Sequence, residues 1–244
     1  MSRKYLLVLV LLALAWSAAA ETPTALRRFA FVAGSNDGGE GLERLRYAES
    51  DARSFATVLQ DLGGVRQQDL ILVTNPSLQR FRDALQRARQ MVGSPREMDE
   101  RRELVFYYSG HSDDDGIILG KERVRWGDIR ADLASINADI KVAIVDSCSS
   151  GSLTRAKGGV TRPAFLFDAS SDMTGHAYLT SASAEEAAQE SDRIGSSFFT
   201  HFLISGLRGA ADAGGDGVVT LEEAYAYAYK ETLASTEKTQ YGPQ

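Results

Sequence analysis

Residues 103–109 (ELVFYYS) and 139–146 (DIKVAIVD) are apolar at nearly every position. A strand with one solvated face alternates apolar and polar side chains, so runs like these fit strands covered on both faces, as in a parallel sheet with helices above and below it. Residues 27–33 (RRFAFVA), 70–74 (LILVT) and 177–181 (AYLTS) supply three further short strands. Between them the period changes. Ala48, Ala52, Phe55, Ala56, Leu59 and Leu62 recur at helical spacing before Gly63-Gly64, and Leu78, Phe81, Leu85 and Ala88 form a second stripe that ends at Gly93-Ser94-Pro95. Asn75-Pro76 reads as the N-cap and first position of that second helix. A hairpin is expected around Gly120, joining residues 117–119 to 124–126, followed by helices over 128–136, 196–207 and 221–234. The fold class that follows is α/β, with a mostly parallel central sheet.

The chain has 244 residues, 43% of them hydrophobic, enough for one mid-sized domain around a single core. Its beginning reads differently. Arg3 and Lys4, an apolar run from Tyr5 to Trp16, and Ala18-Ala19-Ala20 before Glu21 are the three parts of a secretory signal. The uncharged stretch from Tyr5 to Ala20 is shorter than the ~20 residues a spanning helix needs. Residues 1–20 are therefore expected to be a signal peptide. Residues 21–244 are expected to form one exported domain, periplasmic or extracellular, without a membrane partner after cleavage. The formal charge is −6, and losing Arg3 and Lys4 makes it two units more negative, with no long basic run to offset it. Nucleic acid is therefore not an expected partner.

A single cysteine, Cys148, can form no internal disulfide. A lone thiol is either an inert small hydrophobe or a nucleophile, and its surroundings decide which. In an open parallel sheet, side chains just beyond the strand C-termini converge on one rim, where ligands bind. His111 stands two residues past Ser109 in Tyr107-Tyr108-Ser109-Gly110-His111, and Cys148 two past Asp146 in Asp146-Ser147-Cys148-Ser149-Ser150-Gly151. If those strands are parallel neighbours, imidazole and thiol meet across the rim as a Cys–His dyad. Such a pair can form a thioester with an acyl substrate while the imidazole carries the proton to a departing amine. Backbone N–H groups near Cys148 would meet the oxyanion.

These motifs resemble those of the caspase-like cysteine peptidases, the caspase/metacaspase group. Residues 107–111 (YYSGH) are similar to the family's apolar-strand-then-Ser-Gly-His motif, and residues 146–151 (DSCSSG) to its Asp-x-Cys-x-Ser-Gly motif. The resemblance extends from residue 27 to about residue 234. It implies the caspase/haemoglobinase sandwich, with helices on both faces of the sheet, and a cysteine endopeptidase acting on protein or peptide substrates, with His111 as general acid/base and Cys148 as nucleophile. The position two before the nucleophile is Gln in caspases, which cleave after Asp, and acidic in metacaspases, which cleave after Arg or Lys; here it is Asp146. Asp51 matches a second acidic position of the metacaspase pocket. Two carboxylates around that pocket would attract a cationic P1 side chain and repel an acidic one. Ser112 stands where the family usually has Gly and keeps the backbone N–H, and Ser149 takes a position where many metacaspases carry His. Arg155 falls where one of the calcium-activating acids of some metacaspases is expected. Residues 149–163, polar and glycine-rich with Arg155, Lys157 and Arg162, read as a surface loop that a basic-specific enzyme could nick. The alternative class is a caspase-fold interaction module without turnover.

The dyad requires no cofactor. One metal candidate exists, because Asp212, Asp216, Gly217, Thr220 and Glu223 fit positions 1, 5, 6, 9 and 12 of a calcium-binding EF-hand loop, while Gly214 fails position 3. Thr220 and Glu223 also read as a T-x-x-E capping box for the last helix. His111, His176 and His201 have no zinc spacing. The oligomeric state has no signature in the sequence.

Overall fold

A computed structural model describes residues 25–148, 175–181, 188–237 and 239. Five strands, β1 (Ala25–Ser35), β2 (Leu70–Thr74), β3 (Glu100–Gly110), β6 (Ile140–Asp146) and β7 (Gly175–Thr180), form one parallel sheet in the order β2-β1-β3-β6-β7. A hairpin of β4 (Gly116–Leu119) and β5 (Glu122–Arg125) and a two-residue pair, β8 (Glu190–Ser191) with β9 (Ser196–Ser197), stand outside it. The helices are α1 (Ala48–Asp61), α2 (Leu78–Val92), α3 (Trp126–Ser135), α4 (Phe198–Ser205) and α5 (Leu221–Thr236).

The continuous apolar runs divide between two cores. Phe29, Phe31, Leu104, Phe106, Tyr108, Ala143 and Val145 point to the face covered by α2, α3 and the hairpin. Ala30, Val32, Val105, Tyr107, Val142 and Ile144 point to the face covered by α1, α4 and α5. Every position of the central strands is thus occupied by a side chain that must leave water, which is why alternation is missing from the sequence.

Several boundaries differ from the expected ones for physical reasons. β3 begins at Glu100, inside the charged stretch Glu100-Arg101-Arg102-Glu103. Arg102 is 1% exposed, and its guanidinium donates to Glu100 Oε1 at 2.6 Å and to the carbonyls of Val92, Ser94 and Pro95, closing the end of α2. A charge so fully paired belongs to the interior. The N-cap of α2 is Ser77, whose hydroxyl accepts the Arg80 amide, and not Asn75. Asn75 instead takes a positive φ of 41° and accepts the Asn36 amide at 2.8 Å, tying β2 to the loop after β1. Leu62 caps α1 and is 61% exposed rather than part of its buried stripe. Trp126 starts α3 instead of ending β5, and α4 is shorter than expected, running into a π-turn at Gly206–Ala210.

Gly34 sets the distance between sheet and α1. A Cβ there would lie 2.3 Å from the Ala48 carbonyl and 2.7 Å from the Ala52 Cβ, so three small residues let the first turn of α1 rest against the end of β1. Asp51 is carried to the rim by this contact. Gly34→Ala is expected to lower unfolding free energy by about 1–3 kcal/mol through overpacking, measured by urea denaturation.

Candidate active site

β3 and β6 pair in parallel down to Ser109 opposite Asp146, so the chain leaves both strands at one level. Gly110 and His111 follow on one side, Ser147 and Cys148 on the other. His111 and Cys148 line a single cleft together with Leu45, Ser109, Gly110, Asp146, Ser197 and residues 188–190. The structure thus brings together the two residues that the strand-end argument paired. Both are half-buried, and no hydrogen bond joins them among the described residues. Unliganded sites of this kind often show such a gap.

The imidazole is held from behind. Its Nε2 lies 2.8 Å from the Glu43 carbonyl, and a carbonyl can only accept, so Nε2 carries a proton and Nδ1 is the basic nitrogen of the neutral ring. Gly38 packs against the ring, where a Cβ would fall 2.4 Å from Cδ2 and 2.8 Å from Nε2. The phenol of Tyr108 donates to the His111 carbonyl at 2.9 Å. Ser112 pairs with Ile117 between two hairpin bonds, Ile118 N–H to His111 O and Asp113 N–H to Gly116 O. In that register its own N–H points away from the hairpin. Its hydroxyl meets Ser147 Oγ at 2.7 Å and the Cys148 carbonyl, so this departure from Gly links the two strand-end loops.

Burial pushes the Cys148 thiol above its ordinary pKa, and the Asp146 carboxylate adds to the effect. Asp51 and Asp146 are brought together. They are 2% and 3% exposed, and Ser197 joins them, its N–H donating to Asp51 Oδ2 at 3.0 Å and its hydroxyl to Asp146 Oδ2. Ser196 Oγ donates to Asp51 Oδ1 at 2.6 Å, and Thr200 Oγ1 to Asp146 Oδ2 at 2.6 Å. Burial lifts the Asp51 pKa to about 7, with the Asp146 charge contributing and the Ser196 bond opposing; burial raises Asp146 as well, against its hydroxyl donors. Asp51, in the first turn of α1, therefore faces the sheet rim rather than water.

Sequence reasoning passed over Gly38, Glu43, Leu45, Ser197, Thr200 and Glu190. The Glu43 contact is made by a backbone carbonyl, which has no sequence signature. Glu190 lines the cleft while its carboxylate accepts the Arg46 and Tyr47 amides at 2.9 and 3.0 Å, so the β8–β9 hairpin docks on the start of α1. The one available signal was Ser197, which caps α4 by accepting the Thr200 amide. Residues 1–20, Ser149, Arg155, Lys157 and Arg162 lie outside the described residues. At the calcium candidate, Asp212 accepts the amides of Gly215, Asp216 and Gly217, and Thr220 with Glu223 forms the capping box. Among the described residues no cluster of three metal-binding side chains occurs and no helix is long and apolar enough to cross a membrane.

A parallel sheet layered by helices, with a histidine and a cysteine just past the ends of its central strand and that strand's neighbour, has the architecture of a caspase-like peptidase. The sequence matches the peptidase C14 caspase domain over residues 27–240, and the chain belongs to that family of cysteine peptidases. Caspase-1 from Spodoptera frugiperda has a similar structure at 13% sequence identity, with a TM-score of 0.62 over 87% of this chain and 79% of the other. No curated protein matches the sequence.

Two outcomes follow from the geometry. Because burial disfavours the thiolate, Cys148 in the free protein is expected to react with iodoacetamide no faster than free cysteine at pH 7, its rate still climbing above pH 9. Gly38→Ala must displace the imidazole, and a catalytic group moved by about 1 Å loses on the order of a hundredfold in turnover, which peptide hydrolysis would read while circular dichroism shows the fold retained.

Proposed function

We propose that the chain is an exported endopeptidase that cleaves peptide bonds after Arg or Lys through a thioester on Cys148. As the sulfur attacks the scissile carbonyl carbon, His111 Nδ1 takes the thiol proton, and the Glu43 carbonyl steadies the imidazolium through Nε2–H. The carbonyl oxygen gains the negative charge and meets the N–H groups of Ser112 and Cys148. Collapse of the tetrahedral intermediate breaks the C–N bond, and His111 returns its proton to the leaving amine. Water then attacks the thioester with His111 as base, releasing the acid and the thiol. None of these steps needs a metal or cofactor.

The observation that carries the specificity is Asp146 lining the cleft with His111 and Cys148, with a second buried carboxylate, Asp51, joined to it through Ser197. Two such groups repel each other and are poorly hydrated, so a guanidinium or ammonium relieves both costs, whereas an aspartate side chain adds a third negative charge. Leu45 offers an apolar surface for the aliphatic stem of such a side chain.

The test is a panel of fluorogenic peptides differing only at P1. Arg and Lys are expected to be cleaved and Asp not, with Cys148→Ala inactive; a preference for Asp, or turnover without Cys148, would sink the reading. The pH dependence has a defined sign. Burial lifts the Asp51 pKa to about 7, and a cationic guest bound beside Asp146 favours the charged form of Asp51, so KM for Arg peptides should fall as pH rises from 6 to 8. Asp51→Asn should flatten that dependence and weaken Arg binding at pH 8.

A further inference from the structure

The hydroxyl groups behind Asp146 carry one more inference, which rests on the basic-specificity reading. Asp146 Oδ2 accepts from Thr200 Oγ1 at 2.6 Å and from Ser197 Oγ. Thr200 has a single hydroxyl proton, already directed to the carboxylate, so its 2.6 Å contact with the Tyr107 phenol must have Tyr107 as donor. The result is a directed chain from Tyr107 O–H through Thr200 O–H to Asp146 Oδ2, built from two residues with no solvent exposure. The Ser181 hydroxyl lies beside the same carboxylate and accepts the Ser147 amide. Asp146 Oδ1, equally buried, meets no donor in hydrogen-bonding geometry among the described residues. A buried carboxylate oxygen without a donor is costly, and Asp146 lines the cleft where a cationic side chain would enter.

We propose that Thr200, backed by Tyr107, is a positioning residue of the P1 pocket: it fixes Oδ2 of Asp146 so that Oδ1 is presented to the substrate's guanidinium or ammonium. Thr200 acts through Asp146 and does not itself meet the substrate. The Ser197 hydroxyl also donates to Asp146 but caps α4 as well, so replacing it would disturb the helix start together with the carboxylate. The Thr200 hydroxyl is free of the capping role, which uses only its amide. Tyr107 stacks on Phe55 with ring centroids 4.4 Å apart, a contact that Phe would keep. The titratable groups around the pair are Asp51 from α1, Tyr107 from β3, Glu190 from β8, and Cys148 and His111 at the strand ends.

The test compares Thr200→Val, Thr200→Ser and Tyr107→Phe on two peptides that differ only in carrying Arg or its neutral isostere citrulline at P1. Loss of a hydrogen bond to a charged group corresponds to about a tenfold change or more. Thr200→Val should therefore raise KM for the Arg peptide about tenfold with kcat little changed, and leave the citrulline peptide unaffected. Thr200→Ser should restore the wild-type value, and Tyr107→Phe should act in the same direction but less. Equal losses on both peptides, or an unchanged Arg preference in Thr200→Val, would overturn the proposal while leaving basic specificity intact. A wild-type protein that does not distinguish Arg from citrulline would remove the specificity reading itself. Should Thr200→Val not fold, Tyr107→Phe decides: a smaller Arg preference supports the proposal and a wild-type preference overturns it.

Discussion

Parallel pairing of β3 with β6, in a register that ends with Ser109 opposite Asp146, is the constraint on which the rest depends. Two neighbouring parallel strands release the chain on the same side and at the same height. Whatever follows them within two residues is forced into proximity. A one-residue slip would exchange the faces of every side chain on one strand, moving Tyr107 or Ile144 out of the core they share. The hydrophobic cost of that exchange holds the strand ends level, so the packing of the sheet and the placement of imidazole and thiol are one interaction seen at two distances.

The acid pair shows a different balance. Asp51 and Asp146 are almost fully removed from water and face each other's charge, yet their hydrogen-bond donors among the described residues are hydroxyls and an amide rather than cations. Neutral donors reduce the desolvation cost without cancelling the charge. A site built this way remains electrostatically unsatisfied, and the proposed recognition of a basic side chain uses that residual potential. Buried charges elsewhere are treated in the opposite way: Arg102 is closed by Glu100 and three carbonyls, and Asp69 by a two-point contact with Arg27 at 2.7 and 3.0 Å. Those pairs secure the far end of the sheet and have nothing left to offer a ligand.

Much of the scaffold was legible because continuous apolar runs report burial on both faces, and because a histidine and a cysteine placed just after two such runs share a rim in any parallel sheet. β2 matched its expected limits, residues 70–74, since an apolar run between polar turns has clear ends. Glu100-Arg101-Arg102 was not legible as strand, because a fully paired arginine looks the same in sequence as a solvated one. Asn75 was misread as a helix cap because its side chain serves Asn36, 39 residues away, and local propensity carries no information about such a partner.

What the sequence determined by itself was the layered α/β order of elements, the position of His111 and Cys148 two residues past two apolar runs, and the acidic identity of Asp51 and Asp146, all of which depend on local pattern and residue type. Only the tertiary structure decided which nitrogen of His111 is basic, that Gly38 and the Glu43 carbonyl hold the ring, and that Ser197, Thr200 and Tyr107 stand behind the acids. Those contacts join segments up to about 150 residues apart, and distances across a folded core are set by how the layers pack rather than by any periodicity along the chain.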